Sequence, residues 1–362
     1  MKKKVIMFMP SIEGGGVEKN FFIVANFLSK LKDISVITIS RKYQNKFSKK
    51  IKFISLNLKL WDKFGRRFKY FLAIFLLIKE IFKDRNFIVF SFQANIYAIL
   101  ICKIFSIKII TRSNSAPYGW SNNLIKKILF KFFLKISDKV MVNSFEFKKD
   151  LKKQFNVDAV CIYNPLNTKE IKKNSQLKAK KLFKKNSLKI INVGRFTDQK
   201  DQITLLKALN ILKQKIKFEA IIMGRGILQT KLQEFISKNH LNDMIKIKDF
   251  TKNPFPLIKQ ADLFILSSSY EGLPNVLLES LVFKKFIISS DCRTGPKEIL
   301  LNGKGGLLFK VGDYNKLSKL ILFYNSNKKR CNSMLNKSVK ALHRFDYSSN
   351  LKKYLQIIET VQ

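Results

Sequence analysis

The feature that most constrains the fold is an alternation that runs the length of the chain: a short apolar stretch, a turn, then an amphipathic segment. Val5–Met9, Ser35–Ile39, Ile88–Phe92, Ile107–Thr111, Lys139–Val142, Leu188–Val193, Glu219–Met223, Met244–Lys248, Ala261–Leu266 and Phe286–Ser290 read as strands. Apolar residues at helical spacing mark Phe68–Phe82, Ile96–Phe105, Leu124–Ile136 and Ile203–Lys213 as helices. Strands that are apolar throughout must be buried on both faces. Their alternation with helices therefore implies an α/β fold with parallel sheets. A length of 362 residues allows two such units, and a hydrophobic content of 46% is enough for two cores. Asn164-Pro165 and the Lys-rich run Lys169–Lys185 read as the linker between them.

Ser267-Ser-Ser-Tyr-Glu-Gly-Leu-Pro-Asn-Val-Leu-Leu-Glu279 joins one strand to a helix that starts near Pro274. The free N–H groups and positive dipole end of that helix suit a diphosphate above the sheet. Glu271 falls in the turn and Glu279 in the early helix, so both can face one cleft. Gly194-Arg-Phe-Thr-Asp-Gln-Lys200 follows another strand. There Arg195 offers a planar fork and Lys200 a point charge, both suited to phosphate. Pro10-Ser-Ile-Glu-Gly-Gly-Gly16 is a third strand-end loop, without the Gly-x-Gly-x-x-Gly or Walker patterns. Thr111-Arg-Ser-Asn-Ser-Ala-Pro117 also follows a strand end, where α/β proteins place ligand contacts. No Asp-x-Asp occurs, and Cys102, Cys161, Cys292, Cys331, His240 and His343 fit no metal spacing. The thiols are expected to be reduced and buried.

The Glu-x7-Glu spacing, with Ser-x-Tyr-Glu-Gly-Leu-Pro-Asn between strand and helix, resembles the signature of the retaining glycosyltransferases of family 4, which have the GT-B fold. Val-Gly-Arg-Phe-x-x-x-Lys is similar to that family's phosphate-binding loop, and Gly14, Gly15 and Gly16 to its Gly-rich first loop. Asp291-Cys-Arg-Thr-Gly-Pro-Lys-Glu298 resembles a segment of members that act in surface-polysaccharide and lipid-linked glycan assembly. The resemblance covers the whole chain, strongly from Gly194 to Asp313 and more weakly before Pro165.

This resemblance implies two Rossmann-like domains, an acceptor domain over 1–165 and a nucleotide-sugar domain over 166–346, facing across a cleft. A terminal helix over 347–362 would cross back to the first. It implies a catalytic set of Glu271, Arg195 and Lys200. Glu279, Gly272, Leu273, Pro274, Asn275, Gly224 and Phe250 would bind the donor. Gly14, Gly15, Gly16, Arg112 and Asn114 would form the acceptor or phosphate loop. The donor would be a UDP-sugar, bound as substrate with no metal or cofactor, and the acceptor a lipid-linked glycan or polysaccharide. Many family members carry a His near Arg112; this chain has none there, which leaves the acceptor-side role unassigned.

Lys and Arg number 70 against 25 Asp and Glu, a formal charge of +45. Such a field attracts polyanions, and a Lys-, Asn- and Ile-rich composition accounts for part of it. The lysines are spread along the chain and no nucleic-acid-binding module is visible, so no nucleic-acid partner is expected. A sugar-nucleotide epimerase or a phosphorylase on the same fold is the enzymatic rival. In Leu124–Ile136, Lys127, Lys131 and Lys135 form one stripe beside an apolar aromatic face. That pattern fits either docking on an anionic membrane surface or an ordinary helix that covers a sheet. The 17 uncharged residues from Asn86 to Cys102 are interrupted by Ser91, Gln93 and Asn95. They also fall short of the ~20 apolar residues a span needs. Met1-Lys-Lys-Lys precedes too short an apolar run for a secretory signal. The expected location is the cytoplasm, peripheral on the inner membrane face.

Overall fold

The structure, a computed structural model, describes residues 4–39, 41–56, 64–114, 123–177, 182–183 and 187–362. Ser115, Ala116 and Pro117 of the expected acceptor loop, and 178–181 and 184–186 of the expected linker, lie outside these. The chain divides into two units, Met1–Pro165 with Tyr347–Gln362, and Leu166–Asp346.

The first unit runs β1 (Lys4–Phe8), α1 (Gly16–Leu28), β2 (Ile34–Ile37), β3 (Lys52–Ile54), α2 (Arg66–Lys83), β4 (Phe87–Ser91), α3 (Asn95–Ile104), β5 (Lys108–Arg112), α4 (Leu124–Ile136), β6 (Lys139–Val142), α5 (Phe145–Phe155) and β7 (Ala159–Cys161). The second runs α6 (Thr168–Asn174), β8 (Leu188–Val193), α7 (Gln202–Leu212), β9 (Phe218–Gly224), α8 (Gln229–Lys238), β10 (Ile245–Asp249), α9 (Phe255–Gln260), β11 (Leu263–Leu266), α10 (Asn275–Val282), β12 (Phe286–Ser290), α11 (Pro296–Ile299), β13 (Leu307–Phe309), α12 (Tyr314–Ser326) and α13 (Lys328–Lys340). The final helix, α14 (Tyr347–Val361), belongs to the first unit.

Each unit holds one parallel sheet. The strand orders are β3-β2-β1-β4-β5-β6-β7 and β10-β9-β8-β11-β12-β13. Both reverse direction once, between β1 and β4 and between β8 and β11. That reversal is the topological switch point, where loops leaving two adjacent strands part to opposite sides and open a crevice. In the first unit, α2, α3 and α5 cover one sheet face, burying Leu77, Ile99 and Leu151. Helices α1 and α14 cover the other through Phe21, Val24, Leu351, Tyr354 and Ile358.

The central strands lie where the apolar runs put them. The sequence reading missed β3, β7 and β13. All three are three-residue strands at sheet edges, and in each only one residue or none is fully buried. The linker expectation also needs correction, because Thr168–Asn174 is helical. The Asn167 side chain accepts from the Glu170 N–H at 3.1 Å while Glu170 Oε2 accepts from Asn167 Nδ2 at 2.9 Å. This is a reciprocal cap that overcomes the polar composition of the segment.

Arg112 ends β5 with its side chain in the core, 1% exposed. Its Nε donates to Tyr354 Oη at 2.9 Å, one terminal nitrogen to Asn164 Oδ1 at 2.6 Å and the other to Asn114 Oδ1. The guanidinium also lies over the rings of Phe92 and Tyr354. No carboxylate pairs with it among the described residues, so its charge is held by neutral acceptors and aromatic faces. Burial pushes the Tyr354 phenol above its usual range, against the opposing pull of the Arg112 charge. The contact pins α14 to the sheet. Tyr354→Phe should therefore cost about 1–3 kcal/mol, since it strands a buried charged donor. A denaturant midpoint unchanged from wild type would show that Arg112 finds another partner.

Candidate functional site

In the second unit the two loops that flank the switch point are locked together. The first leaves β8 at Gly194 and turns so that Thr197 O accepts from the N–H groups of Lys200 and Asp201. Asp201, at φ +44°, then caps α7, accepting from the Thr204 N–H at 3.2 Å. The second leaves β11 at Ser267. Ser269 N–H donates to Gln199 O at 2.8 Å, Gln199 Nε2 to Tyr270 O at 3.0 Å, and Ser267 Oγ to Lys200 O at 3.0 Å. At the centre, Lys200 Nζ meets Glu271 Oε1 at 2.5 Å, and Ser268 Oγ donates to the same oxygen at 2.6 Å. The Glu271 and Lys200 side chains are 7% and 16% exposed.

The loop after β12 braces this arrangement from the other side. Ser290 Oγ donates to Ser268 O at 2.6 Å and Thr294 Oγ1 to Glu271 O at 2.5 Å. The Gly272 carbonyl rests against Gly295. Gly272, Leu273 and Pro274 are buried, and Asn275 is half-buried where it opens α10. Glu279 is buried in the second turn of that helix. Arg195 is exposed, while its carbonyl accepts from Gln202 Nε2 at 3.0 Å. Gly224 closes β9 against the Gly194 carbonyl, where a Cβ would stand 1.8 Å from that oxygen, so only glycine lets the two strand ends approach. Phe250, exposed beyond β10, receives the Arg225 guanidinium over its ring at 5.1 Å.

Thus the structure brings Glu271 and Lys200 into direct contact, with Gly224 touching the Gly194 loop. Phe250 lies two strands from β8. Sequence reasoning assigned Lys200 and Glu271 separately and did not foresee their pairing. It also missed Ser268 and Thr294; the only signal for the first was a polar Ser run after an apolar strand. Cys292 lies beside the pair. Burial, then the negative charge of Glu271, pushes its thiol up to about 12. Among the described residues no three carboxylates, thiols or imidazoles converge as a metal site would need.

In the first unit the Gly loop caps α1. Gly14 takes φ +88°, a conformation L side chains rarely adopt, and Gly15 is the N-cap residue. Gly16 is the first residue of α1. Ser11 N–H donates to Gln93 Oε1 at 2.9 Å, tying the loops after β1 and β4 across that unit's switch point. Glu13 forms a two-point ion pair with Arg66 at 3.1 and 2.5 Å. Arg112, expected in the acceptor loop, ends β5 with its side chain in the core, where it donates to Tyr354, Asn164 and Asn114. Asn114 Nδ2 donates to Phe92 O at 3.0 Å.

Breaking a buried ion pair leaves an uncompensated charge, worth about 3–5 kcal/mol. Lys200→Ala should therefore lower the denaturant midpoint far more than Arg195→Ala. Adding Glu271→Gln to Lys200→Ala should restore part of the loss. Equal midpoints for the two single variants would mean the pair contributes nothing. Only the thiolate alkylates readily. Folded protein treated with iodoacetamide at mildly alkaline pH should leave Cys292 unlabelled while unfolded protein labels it, and mass spectrometry of the peptides would expose rapid labelling in the folded state.

Residues 173–340 match the family described as Glycosyl transferases group 1. A protein of Methanocaldococcus jannaschii named as an uncharacterized glycosyltransferase is 32% identical over 319 residues, 83% of this chain and 77% of the relative. The GalNAc-α-(1→4)-GalNAc-α-(1→3)-diNAcBac-PP-undecaprenol α-1,4-N-acetyl-D-galactosaminyltransferase of Campylobacter jejuni is 26% identical, with 99% of each chain covered. The crystal structure of Anabaena HepE in complex with UDP has the same fold, with a TM-score of 0.79, 14% identity and 99% and 100% of the two chains covered.

Proposed function

The chain belongs to the group 1 glycosyltransferases, and from that premise we propose that it moves a hexose or N-acetylhexosamine from a UDP-sugar to a lipid-linked glycan, lipopolysaccharide or polysaccharide acceptor, with retention of the anomeric configuration. The observation that carries this reading is the pair of locked loops at the β8/β11 switch point. They set a cation, Lys200, and a carboxylate, Glu271, together at the turn that leads into α10. The names of relatives supply the substrate class. One is a transferase acting on an undecaprenol diphosphate glycan, another serves amylovoran biosynthesis, and a protein of the same fold binds UDP.

In this reading Arg195, Lys200 and the α10 N-terminus hold the diphosphate. As the bond from the anomeric carbon to phosphate oxygen breaks, charge grows on the phosphate. Fixed cations and N–H groups aimed there lower the barrier, typically by about 2.7–4 kcal/mol for a single donor. The acceptor hydroxyl bonds to the anomeric carbon on the face the phosphate leaves, and its proton passes to the departing phosphate oxygen. No protein nucleophile is invoked, so Glu271 and Glu279 are not the acid and nucleophile of a hydrolase. Glu271 accepts from donor-sugar hydroxyls and is kept in place by Lys200 and Ser268. Glu279 accepts from the ribose hydroxyls. Gly272, Leu273, Pro274 and Asn275 shape the turn beneath the diphosphate, and Gly224 and Phe250 line the nucleoside. Gly14, Gly15 and Gly16 give backbone access on the acceptor side, with Asn114 nearby. The reaction needs neither metal nor cofactor. It takes place in the cytoplasm at the inner membrane face, with no nucleic-acid partner.

A panel of nucleotide sugars, read by thermal stabilisation and slow acceptor-free hydrolysis, tests the donor class; hits confined to UDP-sugars are expected, and a response to none of them removes the reading. Calorimetry with UDP separates the two glutamates. Glu279→Gln should weaken UDP binding, whereas Glu271→Gln should leave it nearly unchanged and slow transfer. Equal losses of UDP affinity would end that division of labour.

A further inference from the structure

Three helices on one face of the first unit each carry an exposed apolar stripe at helical spacing. On α2 it includes Phe71 and Phe75, on α3 Leu100 and Ile104, and on α4 Ile128 and Phe132. Phe71 is 70% exposed and Ile128 59%. Helix α3 touches α2 on one side and α4 on the other, so the stripes are neighbours. The arrangement arises because α4 contributes one fully buried side chain, Leu134, to the core beneath it. Phe133 and Ile136 pack partly against the same core, and the face with Leu124, Ile125, Ile128, Leu129 and Phe132 stays exposed. Scattered exposed hydrophobic residues are ordinary, but a continuous set across three packed helices marks an interaction surface.

The charges around this surface say what kind of partner it fits. The three helices carry one acid, Glu80, which is itself paired with Lys83. Against it stand five basic residues on α2, one on α3 and four on α4, of which Arg66 and Lys103 pair with Glu13 and Asp138 next to the helices. Lys127, Lys131 and Lys135 run along α4 and are all exposed. A second copy of the chain placed on this face would bring the same cations against themselves, which is unfavourable for a two-fold contact. An anionic lipid surface supplies both what the lysines need and what the phenylalanines need. No helix among the described residues is long and apolar enough to cross a bilayer, so adsorption in the interface is the mode this face allows.

We propose that the α2–α3–α4 face docks the first unit on an anionic bilayer, with the aromatic and aliphatic stripes entering the headgroup boundary and the α4 lysines on the lipid phosphates. The face adjoins the Gly loop, since Arg66 at the start of α2 pairs with Glu13 of that loop. A lipid-borne acceptor would then reach the unit at the end of the sheet where Gly14–Gly16 lie. The docking itself stands apart from sugar transfer, because adsorption to vesicles requires neither donor nor acceptor.

The test is flotation with vesicles of phosphatidylethanolamine and phosphatidylglycerol against vesicles of phosphatidylcholine alone, at low and high salt. The protein should float with the anionic vesicles, and less so at high salt. Phe71→Ser with Phe75→Ser should weaken partitioning by about tenfold for each phenylalanine lost from the interface. Changing Lys127, Lys131 and Lys135 together to Glu should weaken it by about 100-fold. Both variants alter exposed positions, and circular dichroism melts should match wild type. Absence of flotation by the wild type overturns the proposal, as does flotation of both variants at the wild-type level. A dimer in sedimentation that the Phe71/Phe75 variant dissolves, without vesicle binding, would assign the face to a second copy instead. A failed donor panel with intact flotation would remove the transfer reading and leave the docking surface standing.

Discussion

The ion pair between Lys200 and Glu271 is the contact on which the second unit's crevice depends. A parallel sheet with strand order 3-2-1-4-5-6 necessarily parts its loops at one place, and what lies there is decided by how those loops are held. Here the loop after β8 and the loop after β11 are joined by a charge-assisted bond, a backbone–backbone bond, a glutamine amide and a serine hydroxyl, while Ser290 and Thr294 support them from the next strand. A buried cation and carboxylate stabilise little when weighed against desolvation. Their value lies in position: each holds the other, with Ser268, in one place at the switch point. Activity of this kind needs fixed charges more than it needs strong ones.

The first unit solves a different problem with a different charge. Its last helix comes from the far end of the chain and must be fastened to a sheet built from the first 165 residues. Arg112 does so with no carboxylate partner among the described residues, using Tyr354, Asn164 and two ring faces. A guanidinium suits the task because its donors are spread in a plane and its charge is weakly hydrated. The cost is that a strand-end arginine, elsewhere a natural anion ligand, is consumed by the fold.

The high positive charge acquires meaning only where it is local. Spread over the chain it says little beyond attraction to polyanions. Concentrated on three helices whose outer stripes are apolar, with a single acid among them, it becomes complementary to one surface chemistry. The same lysines on helices with polar outer faces would be an ordinary solvated surface.

What the sequence determined by itself follows from burial and local chemistry. Strands such as β1, β4, β8, β11 and β12 are buried throughout or nearly so, so their runs are apolar and visible. The loops that carry Arg195, Lys200 and Glu271, and the start of the helix that carries Glu279, were legible as strand-to-helix turns because glycine and proline punctuate them. The tertiary structure decided the rest. Edge strands such as Lys52–Ile54 carry no long apolar run because they are three residues long, only partly buried and paired on one edge alone. Lys200 and Glu271 are 71 residues apart, and Arg112 and Tyr354 are 242 apart. No local pattern encodes either meeting. Helix α4 shows the limit most directly: its periodicity is the same whether the apolar face is buried or free, and only the way it packs on the core decides that Leu134 goes in while Ile128 and Phe132 stay out.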